Sequence, residues 1–421
     1  MDERRSRHED PQTAGPEYST LFVIWPEAER PLEEEVRLAL SAAYEDVTQL
    51  DELEVTDEVL WGSTWSIPGP ADRERSEYVV WAQTRASFLD PFLADGLHDP
   101  SDHDLALQSK WLIGIETQLD PGRPQASFQD QLRLVSQVAV PGLIAVYDDN
   151  ALRVRSGREV EDLCSCPVPP RARTLYDVHA VNGVDGGVWL HTHGLGRAGL
   201  PDLDLVGVPS GAAEDAHELL HAVVDGLLGG IEPDPDGRLE IGEQVTVRLV
   251  PLDTALPFYA VDAAGGRDDR RGEVADHAAQ RLVVLDPVRD VTPLRQISQV
   301  HEDPTLYTTA DELERLRVLS TGRWGTFGQL FIMHRDHDWR FHVRMACDRS
   351  TASPDREHLW FEVLGLKPGQ VHGRLMNEPV NVAGLACGQE VWQPLDRLTD
   401  WLIQTPNGAY DPETAPALLP D

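Results

Sequence analysis

The pattern of apolar residues changes near residue 325, and this change constrains the fold more than any other feature of the sequence. Before it, short apolar runs that suit buried strands alternate with longer stretches that have the period of an amphipathic helix. After it, short alternating runs follow one another closely, with Gly and Pro between them, as in antiparallel sheets. The sequence therefore predicts an α+β protein with mixed or antiparallel sheets and helices on one face, followed by a small, mostly β C-terminal domain.

Domain boundaries follow from the same pattern. The first residues are charged and contain no apolar run, so we expect a disordered tail there. The pattern leaves open whether the main α+β region is one domain or two similar halves. The expected segments are a tail at 1–17, an α+β region at 18–252 (halves 18–150 and 151–252), a loop-rich connector at 253–325 with a helix at 309–319, and a β-rich domain at 326–421.

The net charge excludes several classes of function. The 421 residues include 72 Asp and Glu against 36 Lys and Arg, a formal charge of −36. Such a charge opposes binding to nucleic-acid phosphates or to an anionic membrane, and it favours a protein partner with a basic surface. The only lysines are Lys110 and Lys367, and the acids are spread along the chain. A GC-rich genome favours Arg over Lys, and salt adaptation adds acidic residues throughout a protein. Either would explain the charge without a basic partner.

The expected compartment is the cytoplasm. No apolar run approaches the 18 residues that a membrane-spanning helix needs, and the N-terminus lacks the apolar segment of a secretory signal. The four cysteines are too few and too scattered for a disulfide scaffold. They are Cys164, Cys166, Cys347 and Cys387.

A His-Glu-x-x-His motif at 217–221 raises the question of a zinc site. On a helix, His217 and His221 leave the same face, and Glu218 could activate a bound water. His191 and His193 alternate on a predicted strand and so share a face, which is another arrangement found in zinc sites. One interpretation is therefore a zinc-dependent hydrolase whose ligands are His217, His221 and either His191 or His193, with Glu218 as the base.

The apolar pattern of the same helix favours the opposite interpretation. Its apolar residues are Ala216, Leu219, Leu220, Val223, Val224, Leu227 and Leu228. The complementary stripe contains His217 and His221 between acids, so we expect both imidazoles to face water, away from His191 and His193. With 15 histidines in the chain, the motif also arises by chance. This interpretation predicts no metal and no catalytic residue.

An acidic turn at 232–243 has the spacing of a calcium-binding loop. Its oxygen ligands would be Glu232, Asp234, Asp236 and Glu243, with Gly237 at the turn. A predicted strand follows the loop, whereas the calcium-binding motif needs a helix there, and two prolines stiffen it. An Asp-Gly turn that leads into a hairpin is the alternative interpretation.

The C-terminal quarter resembles a bacterial family, the domain of unknown function 2314. The likeness rests on "EHLWFEV" (357–363), "GRLMNEPV" (373–380), Gly388 and "LTDWLI" (398–403). It covers about 335–412. The resemblance implies a bacterial cytosolic protein and supplies no established activity.

The middle of the chain resembles the larger domains that precede that family in similar proteins. "WLHTHGLGRAGLPDLDLVGVP" (189–209), with "ELLHAV" after it, is similar to the domain of unknown function 4026 and, to a smaller degree, to 4261. In those relatives the His-Thr-His-Gly-Leu segment recurs, whereas a histidine that matches His221 need not. The resemblance thus draws attention to His191 and His193.

These observations favour a non-enzymatic, multi-domain protein that binds another protein through its C-terminal domain. The candidate binding residues are Trp360, Asn377, Glu378 and Trp401. A structural role is the alternative for each, because tryptophans fill small cores and Asn-Glu-Pro forms turns. Two further hypotheses remain open, the zinc-dependent hydrolase and an immunity-type protein that binds a basic toxin.

Overall fold

Two compact units divide the chain, one within Met1–Tyr307 and one within Thr308–Asp421. The structure, a computed structural model, describes residues 16–56, 59–69, 75–97, 99–139, 142–184, 186–242, 245–270, 281–300, 310–335, 337–349, 356–406 and 408–418. The tail expected at 1–17 lies outside the described residues except for Pro16 and Glu17. No helix in this described part of the chain is long and apolar enough to cross a membrane.

The first sheet of the N-terminal unit has seven antiparallel strands in the order β2-β3-β4-β5-β1-β6-β7. Its strands are β1 Tyr18–Trp25, β2 Thr48–Glu52, β3 Val59–Ile67, β4 Ser76–Thr84, β5 Trp111–Gln118, β6 Ala145–Asp148 and β7 Arg153–Ser156. The helices around it are α1 Glu33–Ala43, α2 Asp90–Gly96, α3 Pro100–Gln108, α4 Pro124–Val138 and α5 Gly157–Ser165. Because side chains alternate along each strand, α1 and α4 cover one face and α2 and α3 the other.

The second sheet of this unit has six strands in the order β11-β12-β13-β10-β9-β8. Its strands are β8 Asp177–Asn182, β9 Gly187–His193, β10 Asp202–Pro209, β11 Arg238–Glu240, β12 Thr246–Pro251 and β13 Arg281–Leu285. Its helices are α6 Ala213–Leu228, α7 Leu252–Ala255 and α8 Leu294–Gln299. The apolar side of α6 packs on one face, and α7 packs on the other.

The segment 253–325 contributes elements to both units rather than forming a connector. The apolar run 281–285 becomes β13, which lies between β12 and β10, and α8 packs against the core beside α6. The expected helix at 309–319 is α9, Ala310–Gly322, and it belongs to the C-terminal unit. The charged stretch near 263–273 suggested a linker, but the apolar runs on either side of it, at α7 and β13, are both buried in the N-terminal unit.

A buried arginine joins the two sheets of the N-terminal unit. Arg197 lies in a short turn after β9, where Gly194 at φ +110° turns the chain past the carbonyl of Leu175. The Arg197 guanidinium donates to both carboxylate oxygens of Asp148 on β6, at 3.0 and 2.9 Å, and to Ser19 Oγ on β1 at 3.2 Å. All three side chains are fully buried, so this ion pair connects the elements inside the core.

The C-terminal unit is a six-stranded antiparallel sheet in the order β17-β16-β15-β14-β18-β19, with two helices. The elements are α9, α10 Trp324–His334, β14 Arg340–Asp348, β15 Arg356–Lys367, β16 Gln370–Leu375, β17 Glu390–Pro394, β18 Leu398–Thr405 and β19 Gly408–Tyr410. With its three mostly antiparallel sheets and a mostly β C-terminal part, the chain confirms the predicted α+β class.

Candidate metal centre

Strand β9 places two histidines on one face of the second sheet. Its side chains alternate, so Val188 and Leu190 pack toward α6 in the apolar core, whereas His191 and His193 point to the opposite face. Both imidazoles are buried, at 5% and 7% exposure. The sequence correctly predicted that these two side chains share a face.

Strand β8 adds a third histidine to the same face. It pairs antiparallel with β9 so that His179 lies directly opposite His191. The ring of His179 lies 4.6 Å from that of His193 and 5.7 Å from that of His191, and the rings of His191 and His193 are 4.8 Å apart, centroid to centroid. One ligand nitrogen from each lies within 4.8 Å of the others. Three imidazoles in this arrangement are a donor set that suits Zn²⁺.

An ordered polar layer fixes one side of this three-histidine cluster. The Trp189 indole stacks on His191 with ring centroids 4.0 Å apart, and its Nε1–H donates to Asp204 at 2.6 Å. The same oxygen of Asp204 accepts from Arg270 and Arg281, each at 3.1 Å. Asp204 is fully buried. Because this carboxylate oxygen is bonded by an indole and two guanidinium groups, it supports Trp189 and, through that ring, His191.

A glycine allows the loop after α7 to close over this layer. Gly265 adopts φ +77°, and a Cβ at that position would come within 2.5 Å of the Trp189 ring. Its amide donates to Asp269 at 2.9 Å, and the Arg270 guanidinium lies 4.3 Å from the Trp189 ring centroid. The loop therefore holds Trp189 between His191 and Arg270.

Sequence reasoning missed His179 because it did not identify β8. The signal was present: Asp177, His179 and Val181 alternate in "YDVHAVN", and a Gly-containing turn then leads into β9. These are the features of a β-hairpin. Pairing of that hairpin would have placed His179 beside the predicted His-x-His strand.

The expectation that both helix histidines face water is wrong for His221. His221 is 7% exposed, and its Nδ1 lies 2.6 Å from the hydroxyl of Tyr176, which precedes β8. His221 lies at the margin of the apolar side of α6, and the segment that carries Tyr176 packs over the helix there and buries it. Burial, together with the nearby Arg173, lowers the pKa of His221 to about 3. His221 is therefore neutral in the folded protein at ordinary pH.

The motif's glutamate is held by an ion pair. His217, Glu218 and His221 form a second group whose ligand atoms lie within 4.8 Å of one another. Arg173 donates to Glu218 at 3.1 Å, and bonds from His217 and then Arg173 lower the pKa of Glu218 to about 2. A guanidinium in this position repels a metal cation and leaves Glu218 a weak base.

The ligand set that the hydrolase hypothesis requires is not assembled. Helix α6 packs on the Leu190 face of the second sheet, whereas His191 and His193 point from the other face. The helix pair and the strand pair accordingly belong to two different groups among the described residues. The expected separation of the two pairs is confirmed, although burial of His221 is not what was expected.

Stability should fall as pH is lowered from about 6.5 toward 5, and His221 should account for part of this loss. In the unfolded chain the pKa of His221 returns to its ordinary value of 6.5, whereas in the folded state it is about 3. The unfolded state thus binds more protons below pH 6.5, which lowers the free energy of unfolding by up to about 1.4 kcal/mol per pH unit. Glu218, whose ordinary pKa is 4.5, adds its own loss only at lower pH.

Urea unfolding of wild type and His221→Gln at a series of pH values checks this expectation. The variant should show a shallower decline between pH 6.5 and 5. His217→Gln is the matched control, because His217 lies on the same helix but its side chain is 40% exposed. Equal slopes for wild type and His221→Gln would contradict the assignment.

The acidic segment expected to bind calcium forms an Asp-Gly turn, the alternative to a calcium-binding loop. Asp234 Oδ1 accepts from the amides of Asp236 at 2.9 Å and Arg238 at 2.8 Å, and Gly237 adopts φ +80°. This is an Asp-Gly turn that leads into β11. Glu232 lies just before the turn, and Glu243, the expected last calcium ligand, lies outside the described residues.

The four residues proposed for binding in the C-terminal domain occupy different settings. Trp401 is fully buried, and its Nε1–H donates to the Ser320 carbonyl at 3.1 Å, so it is a core residue and not a surface one. Asn377 accepts from the Trp360 amide at 3.1 Å, and Glu378 accepts from the Cys387 amide at 3.2 Å. These two side chains shape the loop after β16. Trp360 is half-buried on β15.

The fold and site together define an α+β protein with a three-histidine cluster in its second sheet. Two family models match segments of this chain. Residues 178–285 match the C-terminal part of a protein of unknown function, DUF4026, and residues 337–418 match DUF2314, an uncharacterized protein conserved in bacteria. These matches support a DUF4026 domain followed by a DUF2314 domain, and they confirm the resemblances to those two families. All three histidines of the cluster lie in the first matched segment. Neither a curated protein nor a solved structure matches the chain.

Proposed function

We propose that the protein binds a divalent transition metal ion, preferably zinc, on His179, His191 and His193. The observation that supports this proposal is the convergence of three imidazoles, with ligand nitrogens within 4.8 Å, on a largely buried sheet face. Neutral imidazole is a common zinc ligand, and three such ligands leave the fourth tetrahedral position for water or another ligand. Two paired strands carry the rings, so little backbone freedom is lost when they close on an ion.

The residues around the cluster support ion binding without assigning a reaction. A zinc ion bound there would act as a Lewis acid and would lower the pKa of a bound water. Asp204, the carboxylate supported by Arg270 and Arg281, holds Trp189 against His191 and so fixes the orientation of that imidazole. Such supporting contacts usually contribute to metal affinity. We therefore propose metal binding as the function and propose no substrate.

Metal analysis and zinc titration of two double variants test the proposal. Wild type should bind one zinc ion per chain, and His179→Ala with His193→Ala should lower the affinity at least 100-fold, because two of three ligands are removed. His217→Ala with His221→Ala is the matched control and should retain the zinc. Substitution by Co²⁺ should give the visible absorption of a tetrahedral site, and His179→Ala alone should change that spectrum.

The same experiment separates the competing hypotheses. Loss of zinc from the His217 and His221 variant, with retention in the His179 and His193 variant, would move the site to α6 and favour the hydrolase hypothesis. Failure of wild type to bind zinc, cobalt or nickel above the level of the His179 and His193 variant would contradict the proposal.

A second candidate function is a non-enzymatic role in which the N-terminal unit binds a cationic protein, such as a basic toxin. It is supported by the uneven charge: Met1–Tyr307 contains 56 acidic and 25 basic residues, whereas Thr308–Asp421 contains 16 and 11. Such a complex should weaken steeply as salt is raised, and a salt-insensitive complex would contradict it.

Four free thiols support a reducing compartment such as the cytoplasm.

A further inference from the structure

The third sheet has one face that packs on helices and one that carries polar and aromatic side chains. Phe341, Val343 and Met345 of β14 point into the apolar cluster with α10. The intervening residues, His342 and Arg344, therefore point to the other face. Trp360 of β15 lies opposite Arg344 on that face. We call it the open face of the third sheet.

Arg344 is the central cation of the open face, and it forms no ion pair with any described residue. Strand β14 lies between β15 and β18, so Arg344 is flanked by Trp360 and Asp400. Its Nε is buried, and the hydrogen on this nitrogen has no acceptor among the described residues. Asp400 Oδ1 accepts hydrogen bonds from the Trp401 amide at 2.8 Å and from Ser320 Oγ at 3.4 Å.

The other side chains around Arg344 do not neutralise its charge. His358 Nδ1 lies 3.1 Å from Thr399 Oγ1, and burial, with Arg344 and Arg356 nearby, lowers the pKa of His358. Burial also lowers the pKa of Arg344 itself, and the charge of Asp400 opposes this effect only in part. A partly desolvated cation without an ion-pair partner is costly, and an incoming anion would offset this cost.

Two other basic residues on or near this face are already occupied, and Arg340, two residues before His342 on β14, is exposed. Arg374 pairs with Glu362 at 3.2 Å and with Glu390 at 2.9 Å. The ammonium of Lys367 lies 3.9 Å from the Trp392 ring centroid. Arg344 is therefore distinguished from both of these cations by its central position, its burial and its lack of an ion pair.

We propose that Arg344 binds an oxyanion, the carboxylate or phosphate group of a ligand that lies against Trp360 on the open face of the third sheet. The planar guanidinium presents paired N–H donors that match either group. The Trp360 ring, half-buried beside it, offers an apolar surface for the rest of the ligand. This site lies in the C-terminal unit and does not depend on the metal proposal.

Calorimetric titration of the full chain with inorganic phosphate and with citrate tests the inference. We expect saturable binding of at least one of them at millimolar concentration, with one site per chain. Arg344→Gln should weaken this binding at least tenfold. Arg344→Lys should give an intermediate affinity, because it keeps the positive charge but loses the paired N–H donors of the planar guanidinium. Arg374→Gln, the matched control on the same face, should bind within twofold of wild type.

The two probes also identify the source of the anion, since preference for phosphate indicates a phosphorylated ligand and preference for citrate a polycarboxylate. Circular dichroism and urea unfolding confirm that Arg344→Gln remains folded, which we expect because the change removes a desolvated charge. The inference is overturned if neither probe binds saturably, or if Arg344→Gln binds as tightly as wild type.

Discussion

Replacement of Arg197 by methionine should lower the free energy of unfolding of the N-terminal unit by about 3 kcal/mol, because it removes the bidentate partner of a buried carboxylate and leaves the charge of Asp148 only partly compensated. Arg197 donates to both oxygens of Asp148 and lies 4.5 Å from the Phe128 ring centroid. Its Nε also donates to the Leu175 carbonyl at 2.8 Å. After the change, Asp148 would keep Arg155, whose guanidinium lies 3.6 Å away.

Urea unfolding of Arg197→Met measures this loss, and Arg37→Met is the control. Arg37 pairs with Glu34 on the exposed side of α1, so its removal should cost far less than the loss of Arg197. In a double-mutant cycle, Asp148→Asn should partly rescue Arg197→Met, because it removes the carboxylate that is left only partly compensated, whereas Arg155 keeps its bond to Glu159 at 2.7 Å. A loss below about 1 kcal/mol for Arg197→Met would show that the ion pair contributes little.

Replacement of Trp401 by alanine should destabilise the C-terminal unit by about 3–5 kcal/mol, the usual cost of removing a large buried aromatic side chain. Trp401 is fully buried, and its ring lies 5.1 Å from that of Phe327 on α10. The substitution leaves a cavity between the sheet and its helices, and it also removes the bond from the indole to the Ser320 carbonyl.

Trp392→Ala is the matched control for that change. Trp392 is 44% exposed and stacks on His372 at the edge strand β17, so its removal should cost about 1 kcal/mol or less. Both variants are measured by urea unfolding. Comparable losses for Trp401→Ala and Trp392→Ala would contradict the assignment of Trp401 to the core.

Strong periodicity explains which elements could be predicted from the sequence. Apolar runs at 19–25, 77–84 and 111–119 predict strands, and the period of 212–230 predicts a helix. The structure has β1, β4, β5 and α6 at these places. The apolar pattern of 127–139 predicts a helix with Ser127 at its N-cap, whereas the observed α4 begins at Pro124, because Pro is also favoured in the first turn. The missed elements are short or were hidden among charged residues, as β8 and β13 were.

The candidate site was harder to predict than the fold because it depends on pairing between strands. The alternation of His191 and His193 was visible in the sequence, whereas the position of His179 depends on the β8–β9 register. The orientation of His221 depends on the segment that carries Tyr176, which packs over α6 from outside the helix. Local periodicity contains neither kind of information.

The position of β13 has a consequence for biosynthesis. It is the last strand of the second sheet in the chain, yet it lies between β12 and β10 and runs parallel to β10. A ribosome must therefore release residue 285 before β12 can join the strands that carry the histidines. Until then the nascent chain exposes the unpaired backbone edge of β10, and an unpaired strand edge can pair with another chain and aggregate.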